Sequence, residues 1–146
     1  LTFLLDVNVL IGLVDTEHDF HEEAHEWFHS EGARDWATCA ITEHAVLRIL
    51  GARSYLNTPG PPSRVAEMLD HLLAIGRHVF WTDDVRLLRS SDIDRNALTR
   101  AKQITDLHLL ALAVRKGGRL ATFDRRIVPD PVQDGQAALH FIPRAH

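Results

Sequence analysis

Phe3-Leu4-Leu5-Asp6-Val7-Asn8-Val9-Leu10-Ile11-Gly12-Leu13-Val14 is the stretch whose reading decides the architecture. Three apolar residues run up to a carboxylate and stop, as a strand buried on both faces does at its carboxyl end. Val7 to Val14 then continues as a short apolar helix. Working outward, the same alternation recurs. From Asp19 onward, Phe20, Ala24, Trp27 and Phe28 fall at helical spacing, and Gly32 closes that helix. Trp36-Ala37-Thr38-Cys39 reads as a second strand, after which Thr42 is expected to cap a helix from Glu43 to Leu50. Asn57-Thr58-Pro59-Gly60-Pro61-Pro62 is expected to be a loop.

Ser63 is expected to cap the next helix, with Val65, Ala66, Leu69, Leu72 and Leu73 facing inward. His78 to Trp81 reads as a strand, and Asp83 or Asp84 as the start of a helix through Leu88. Thr105 precedes an almost wholly apolar helix from Asp106 to Val114, ended by Gly117-Gly118. Leu120 to Phe123 is a strand ending at Asp124, and Leu139 to Ile142 the last one. Alternation without an internal repeat or linker predicts one domain over residues 1–146. Its class is α/β, a three-layer α/β/α sandwich around a mainly parallel central sheet.

Composition narrows the classes. With 146 residues, 45% hydrophobic and 25% charged, the chain can bury one sizeable core and is not disordered. Its longest apolar stretch, Leu107 to Val114, is far too short to span a membrane. The opening residues Leu1 to Asp6 lack a basic start and a cleavage site, so they do not read as a signal peptide. Cys39 is the single cysteine, which excludes an internal disulfide and makes a reducing cytoplasm the expected compartment. The net charge of −4 is unfavourable for binding a polyanion, but it is unevenly spread. Acidic residues crowd the first third, and arginines such as Arg100, Arg125 and Arg126 crowd the later part, which permits a basic face. Arginine outnumbers lysine 14 to 2, a bias that a GC-rich genome accounts for at least as well as phosphate recognition does.

Sites in open parallel sheets form at the carboxyl ends of strands. Asp6 and Asp124 each end a strand there, and Asp106 and Glu43 each open a helix after a threonine, where the helix dipole favours an anion. Four carboxylates on one edge would repel one another and raise their own pKa values unless a cation neutralised them. Oxygen donors alone select Mg²⁺ or Mn²⁺ over zinc. Such a cation can deprotonate water and stabilise charge on a phosphoryl oxygen.

Leu5-Asp6-Val7-Asn8-Val9-Leu10, Thr42-Glu43, Ile104 to Ala113 and Leu120-Ala121-Thr122-Phe123-Asp124-Arg125-Arg126 closely resemble, in order, the motifs of PIN domains. Within that family they look most like VapC-type toxins of bacterial toxin–antitoxin pairs. The resemblance implies an endoribonuclease that uses Mg²⁺ (or Mn²⁺), with metal ligands at Asp6, Glu43, Asp106 and Asp124. Asn8 and Thr122 match polar positions that support such a site. It further implies RNA hydrolysis leaving a 5′-phosphate, a homodimer, and inhibition by a cognate VapB-type antitoxin.

Competing readings exist. His21-Glu22-Glu23-Ala24-His25 satisfies the H-E-x-x-H signature of zinc peptidases, with Glu43 at a distance suited to a third ligand. That reading leaves Asp6, Asp106 and Asp124 without a role, and a chain with ten histidines matches so short a motif cheaply. Asp6-Val7-Asn8 is similar to the start of aspartyl-nucleophile phosphatases, but those want a second Asp where Asn8 stands. A non-catalytic binding module has no positive sign, since all four positions are carboxylates. His108, two residues past Asp106, is expected to point away from it. Trp27, Trp36, Trp81 and Cys39 are read as core.

Overall fold

The structure is a computed structural model and describes residues 1–144. Five strands form one sheet: β1 (Phe3–Leu5), β2 (Trp36–Cys39), β3 (His78–Trp81), β4 (Arg119–Thr122) and β5 (Leu139–Phe141). Their spatial order is β3-β2-β1-β4-β5, and every neighbouring pair is parallel. The sheet expected to be mainly parallel is wholly so. The helices are α1 (Val7–Val14), α2 (His21–Ser30), α3 (Ala40–Leu50), α4 (Pro62–Leu73), α5 (Ile104–Arg115) and the single turn α6 (Gly135–Ala138).

Side chains alternate across the sheet and divide the core in two. Phe3, Leu5, Trp36 and Ala121 face the layer of α1, α2, α3 and α4. Leu4, Ala37, Cys39 and Leu120 face the layer built around α5. Helix α5 is apolar nearly all round because it is buried nearly all round, with Leu109, Leu110 and Leu112 fully enclosed. Burying each such leucine stabilises the fold by about 1.5–3 kcal/mol. Trp27, Trp36, Trp81 and Cys39 are all core, as expected. Among the described residues, no helix is long and apolar enough to cross a membrane.

Successive strands step from β1 outward to β3, and the chain then crosses to the other side of β1 for β4 and β5. The winding therefore reverses between β1 and β4, and a crevice opens at their carboxyl ends. Two glycines after α5 make that crossing tight. Gly117 has φ +71, a left-handed conformation costly for other residues. A Cβ on Gly118 would lie 2.4 Å from the Thr2 carbonyl oxygen, so only glycine lets β4 settle beside β1.

Several helix boundaries differ from expectation, for a common reason: the chain turns into helix sooner than its polar residues suggest. Cys39, not Thr42, flanks α3. The Thr42 hydroxyl sits one turn in, accepts from the Cys39 amide at 3.0 Å and donates to the Cys39 carbonyl at 3.1 Å. Pro61 flanks α4 and Pro62 opens it, so Ser63 is not the cap and the loop ends one residue early. Gln103 flanks α5, leaving Thr105 inside the helix. The helix expected from Asp83 or Asp84 to Leu88 does not form. Asp83 Oδ1 instead accepts from the Val85 amide at 3.0 Å, a local turn that competes with helix, and residues 87–89 form only a turn.

Candidate active site

Asp6 stands where the first strand gives way to the first helix, and its geometry follows from that junction. Its backbone amide extends the ladder to β4 by donating to the Ala121 carbonyl at 2.9 Å. Its side chain caps α1, with Oδ1 accepting from the Val7 amide at 2.7 Å. The carboxylate is nearly fully buried. Burial pushes its pKa up; the hydrogen bonds from Thr122 and Val7 oppose this, and the charge of Asp124 adds to it.

Thr122, the last residue of β4, is the hub. Its hydroxyl donates to Asp6 Oδ2 at 2.7 Å and accepts from Asn8 Nδ2 at 3.1 Å and from the Asp124 amide at 3.0 Å. One proton and two lone pairs are all in use. The Asn8 carbonyl oxygen accepts from the Phe123 amide at 3.2 Å, and its amide group lies 3.5 Å from Asp6 Oδ2. Asp6, Asn8, Thr122 and the start of the 123–128 loop thus form one network across the crevice.

Asp106, in the first turn of α5, and Asp124 complete an acidic cluster with Asp6. Partial burial and then the charges of Asp6 and Asp124 push the Asp106 carboxyl up to about 6, against the pull of Arg126. Asp124 moves the other way. Hydrogen bonds from Arg126 hold it below the usual carboxylate range. Arg126 Nε reaches Asp124 Oδ1 at 3.0 Å, its Nη2 reaches Oδ2 at 3.2 Å, and its amide donates to Oδ1 at 2.9 Å. Two shallow clefts meet at this pair. Arg100, Lys102 and Asp106 line one, and Asn8, Phe20, Arg125 and Arg144 line the other.

Glu43 does not join the cluster. Its Oε2 accepts from the Thr38 hydroxyl at 2.6 Å, and that hydroxyl lies 2.7 Å from His78 Nε2. With its only proton on Glu43, Thr38 must accept from the histidine N–H. Glu43 is thus held by Thr38 toward β2 and β3. Among the described residues, no three acidic, histidine or cysteine side chains are gathered closely enough to hold a metal ion as they stand. Asp124 lies on Arg126, and Glu43 on Thr38.

The PIN domain family matches residues 3–128. The chain belongs to the PIN-domain family. Among its relatives, Ribonuclease VapC39 of Mycobacterium tuberculosis (strain CDC 1551 / Oshkosh) is 43% identical over 85% of this chain and 89% of its own length. Ribonuclease VapC44 of the same strain is 45% identical over 85% of this chain and 87% of its own length. Ribonuclease VapC38 of strain ATCC 25618 / H37Rv is 39% identical over 83% and 84%. A solved structure, VapBC2 from Rickettsia felis bound to a DNA fragment from their promoter, matches in fold at a TM-score of 0.52. That match covers 97% of both chains at 12% identity.

Within this PIN domain, the H-E-x-x-H segment lies on α2, outside the crevice. The His21 Nδ1–H donates to the Gly12 carbonyl at 2.7 Å, while Glu22 and His25 are exposed. Family membership and this placement leave the peptidase reading without support. His108 points away from Asp106, as expected, and its Nε2 lies 2.6 Å from Asp83 Oδ2. Sequence reasoning missed Thr38 and the pairing of Arg126 with Asp124. Thr38 did leave a signal, as the only polar residue in Trp36-Ala37-Thr38-Cys39.

Proposed function

We propose that this PIN domain, acting as one unit over residues 1–146, is a metal-dependent endoribonuclease and the toxin of a toxin–antitoxin pair. The observation that carries the reading is Asp106. Its carboxyl is pushed up to about 6, first by partial burial and then by the negative charges of Asp6 and Asp124 that crowd it. A divalent cation relieves such crowding, and an all-oxygen donor set fits Mg²⁺ or Mn²⁺. Asp6, Asp106 and Asp124 would hold it, and Glu43 would join by giving up Thr38. When bound, the cation supplies an activated water and stabilises charge on a phosphoryl oxygen.

The chain's own residues do the rest. Thr122 and the Val7 amide fix the Asp6 carboxylate in one orientation, and Asn8 keeps Thr122 and the loop after β4 in register with it. Arg100 and Lys102 on one side, and Arg125 and Arg144 on the other, offer positive charge to the RNA backbone. Hydrolysis would leave a 5′-phosphate. The ribonuclease names of the relatives support the substrate class, and the VapBC2 neighbour supports a VapB-type antitoxin as partner. A homodimer in the cytoplasm completes the reading.

The test is RNA cleavage by purified protein with Mg²⁺ or Mn²⁺. EDTA should abolish it, and Asp6→Ala should lower it at least about a hundredfold. Cleavage that persists in EDTA or survives Asp6→Ala undiminished would sink the metal-nuclease reading. The toxin role is tested by expression in cells: growth arrest relieved by the product of a neighbouring reading frame supports it, and unimpaired growth refutes it.

A further inference from the structure

Arg126 is almost wholly exposed, at 91%, yet both ends of its guanidinium fork are committed to one carboxylate. Among the described residues, all its side-chain hydrogen bonds go to Asp124. Asp124 Oδ1 thus accepts two hydrogen bonds and Oδ2 one, so a cation that takes Oδ1, or both oxygens, displaces the guanidinium. The side chain is free to move, since no packing holds it. It also lies where the two clefts meet, between Arg100 and Lys102 on one side and Arg125 and Arg144 on the other. The flat fork that fits a carboxylate fits a phosphate equally well.

We propose that Arg126 exchanges partners, resting on Asp124 in the metal-free protein and grasping the backbone phosphate of RNA once the cation has taken Asp124. The exchange conserves charge pairing at every stage. Before the cation arrives, Arg126 offsets one of three crowded carboxylates. Afterwards the cation does so, and the released guanidinium meets the substrate's anion at the reacting edge. Arg125 lies next along the chain but cannot play this part. Its Nη2 donates to the Ile142 carbonyl at 3.3 Å and its guanidinium sits 5.4 Å from the centre of the Phe141 ring.

The inference rests on the metal-nuclease reading and makes two effects of opposite sign. Arg126→Gln removes the competitor for Asp124, so Mn²⁺ measured by calorimetry should bind about two- to fivefold more tightly than to wild type. Arg125→Gln removes the same charge without touching Asp124 and should leave Mn²⁺ affinity near that of wild type. RNA binding is read by anisotropy with a labelled oligoribonucleotide whose phosphorothioate backbone slows hydrolysis. In Mn²⁺, Arg126→Gln should flatten the dependence of log affinity on log salt by about 0.7, the loss of one phosphate contact to a single strand. In EDTA, where Arg126 rests on Asp124, the two proteins should show the same slope.

Unchanged Mn²⁺ affinity in Arg126→Gln, equal tightening in Arg125→Gln, or equal salt slopes in Mn²⁺ would each overturn the exchange. The failure of the underlying reading looks different: wild type would bind no Mn²⁺, or Asp106→Asn would bind it as well as wild type does.

Discussion

Replacing Asp106 by Asn should make the metal-free protein more stable. The wild-type carboxyl is raised from 3.8 to about 6 by partial burial and by the charges of Asp6 and Asp124. At 1.36 kcal/mol per unit, a shift of that size corresponds to about 3 kcal/mol of penalty on the ionised form. The side chain is only half-buried, and solvent screening reduces the figure to about 1–2 kcal/mol. The sign in pH follows from proton counting. Between about pH 4 and pH 6 the folded protein holds a proton that the unfolded chain has released, so stability from this group falls as pH rises through that window. The Asn variant escapes the loss. Its advantage should be absent below about pH 4 and full above about pH 6.

For a chain of this length, about 1–2 kcal/mol corresponds to a rise of about 3–6 °C in melting temperature. Thermal denaturation followed by circular dichroism, in EDTA at both ends of the window, measures it. Mn²⁺ should reverse the order, because it stabilises wild type by about 2.7 kcal/mol at a hundredfold excess over its Kd and the variant by less. A variant that melts at or below wild type in EDTA at neutral pH would refute the repulsion. Equal Mn²⁺ shifts in both proteins would refute the shared cation.

Other outcomes follow from the hydrogen-bond network. Thr122→Val removes the donor to Asp6 and the acceptor for Asn8 and the Asp124 amide, and should cost about 1–3 kcal/mol by denaturant titration; an unchanged midpoint would show that the hub is dispensable. Tyr55→Phe takes from the buried carboxylate of Asp15 the phenol hydroxyl that donates to it, tying the 51–58 segment to the end of α1. It should destabilise by about 1–3 kcal/mol and hasten proteolysis of that segment, and equal cleavage rates would count against the tie.

Asp6 and Asp124 were legible from sequence because an apolar run that stops at a carboxylate marks a strand end without knowledge of what packs beside it. Asp106 was legible from the motif and its helix start. Glu43 was singled out by its place after Thr42, but its hold by Thr38 was not legible, since Thr38 and His78 meet through the pairing of β2 with β3, 40 residues apart. The bond from Arg126 to Asp124 depends on side-chain rotamers, which spacing does not encode. The segment after Trp81 was misread because Asp83 looks the same whether it caps a helix or, as here, closes a turn and meets His108.

The bond from Thr122 to Asp6 joins residues 116 positions apart. Synthesis runs from the first of them to the second at about 5–20 residues per second, so Asp6 waits roughly 6–23 seconds for its partner. Throughout that interval the growing chain carries Asp6 without the strand whose Thr122 hydroxyl holds it. A chain broken off before β4 lacks both Asp124 and the Thr122 hydroxyl that holds Asp6, so the crevice is assembled only near the end of synthesis.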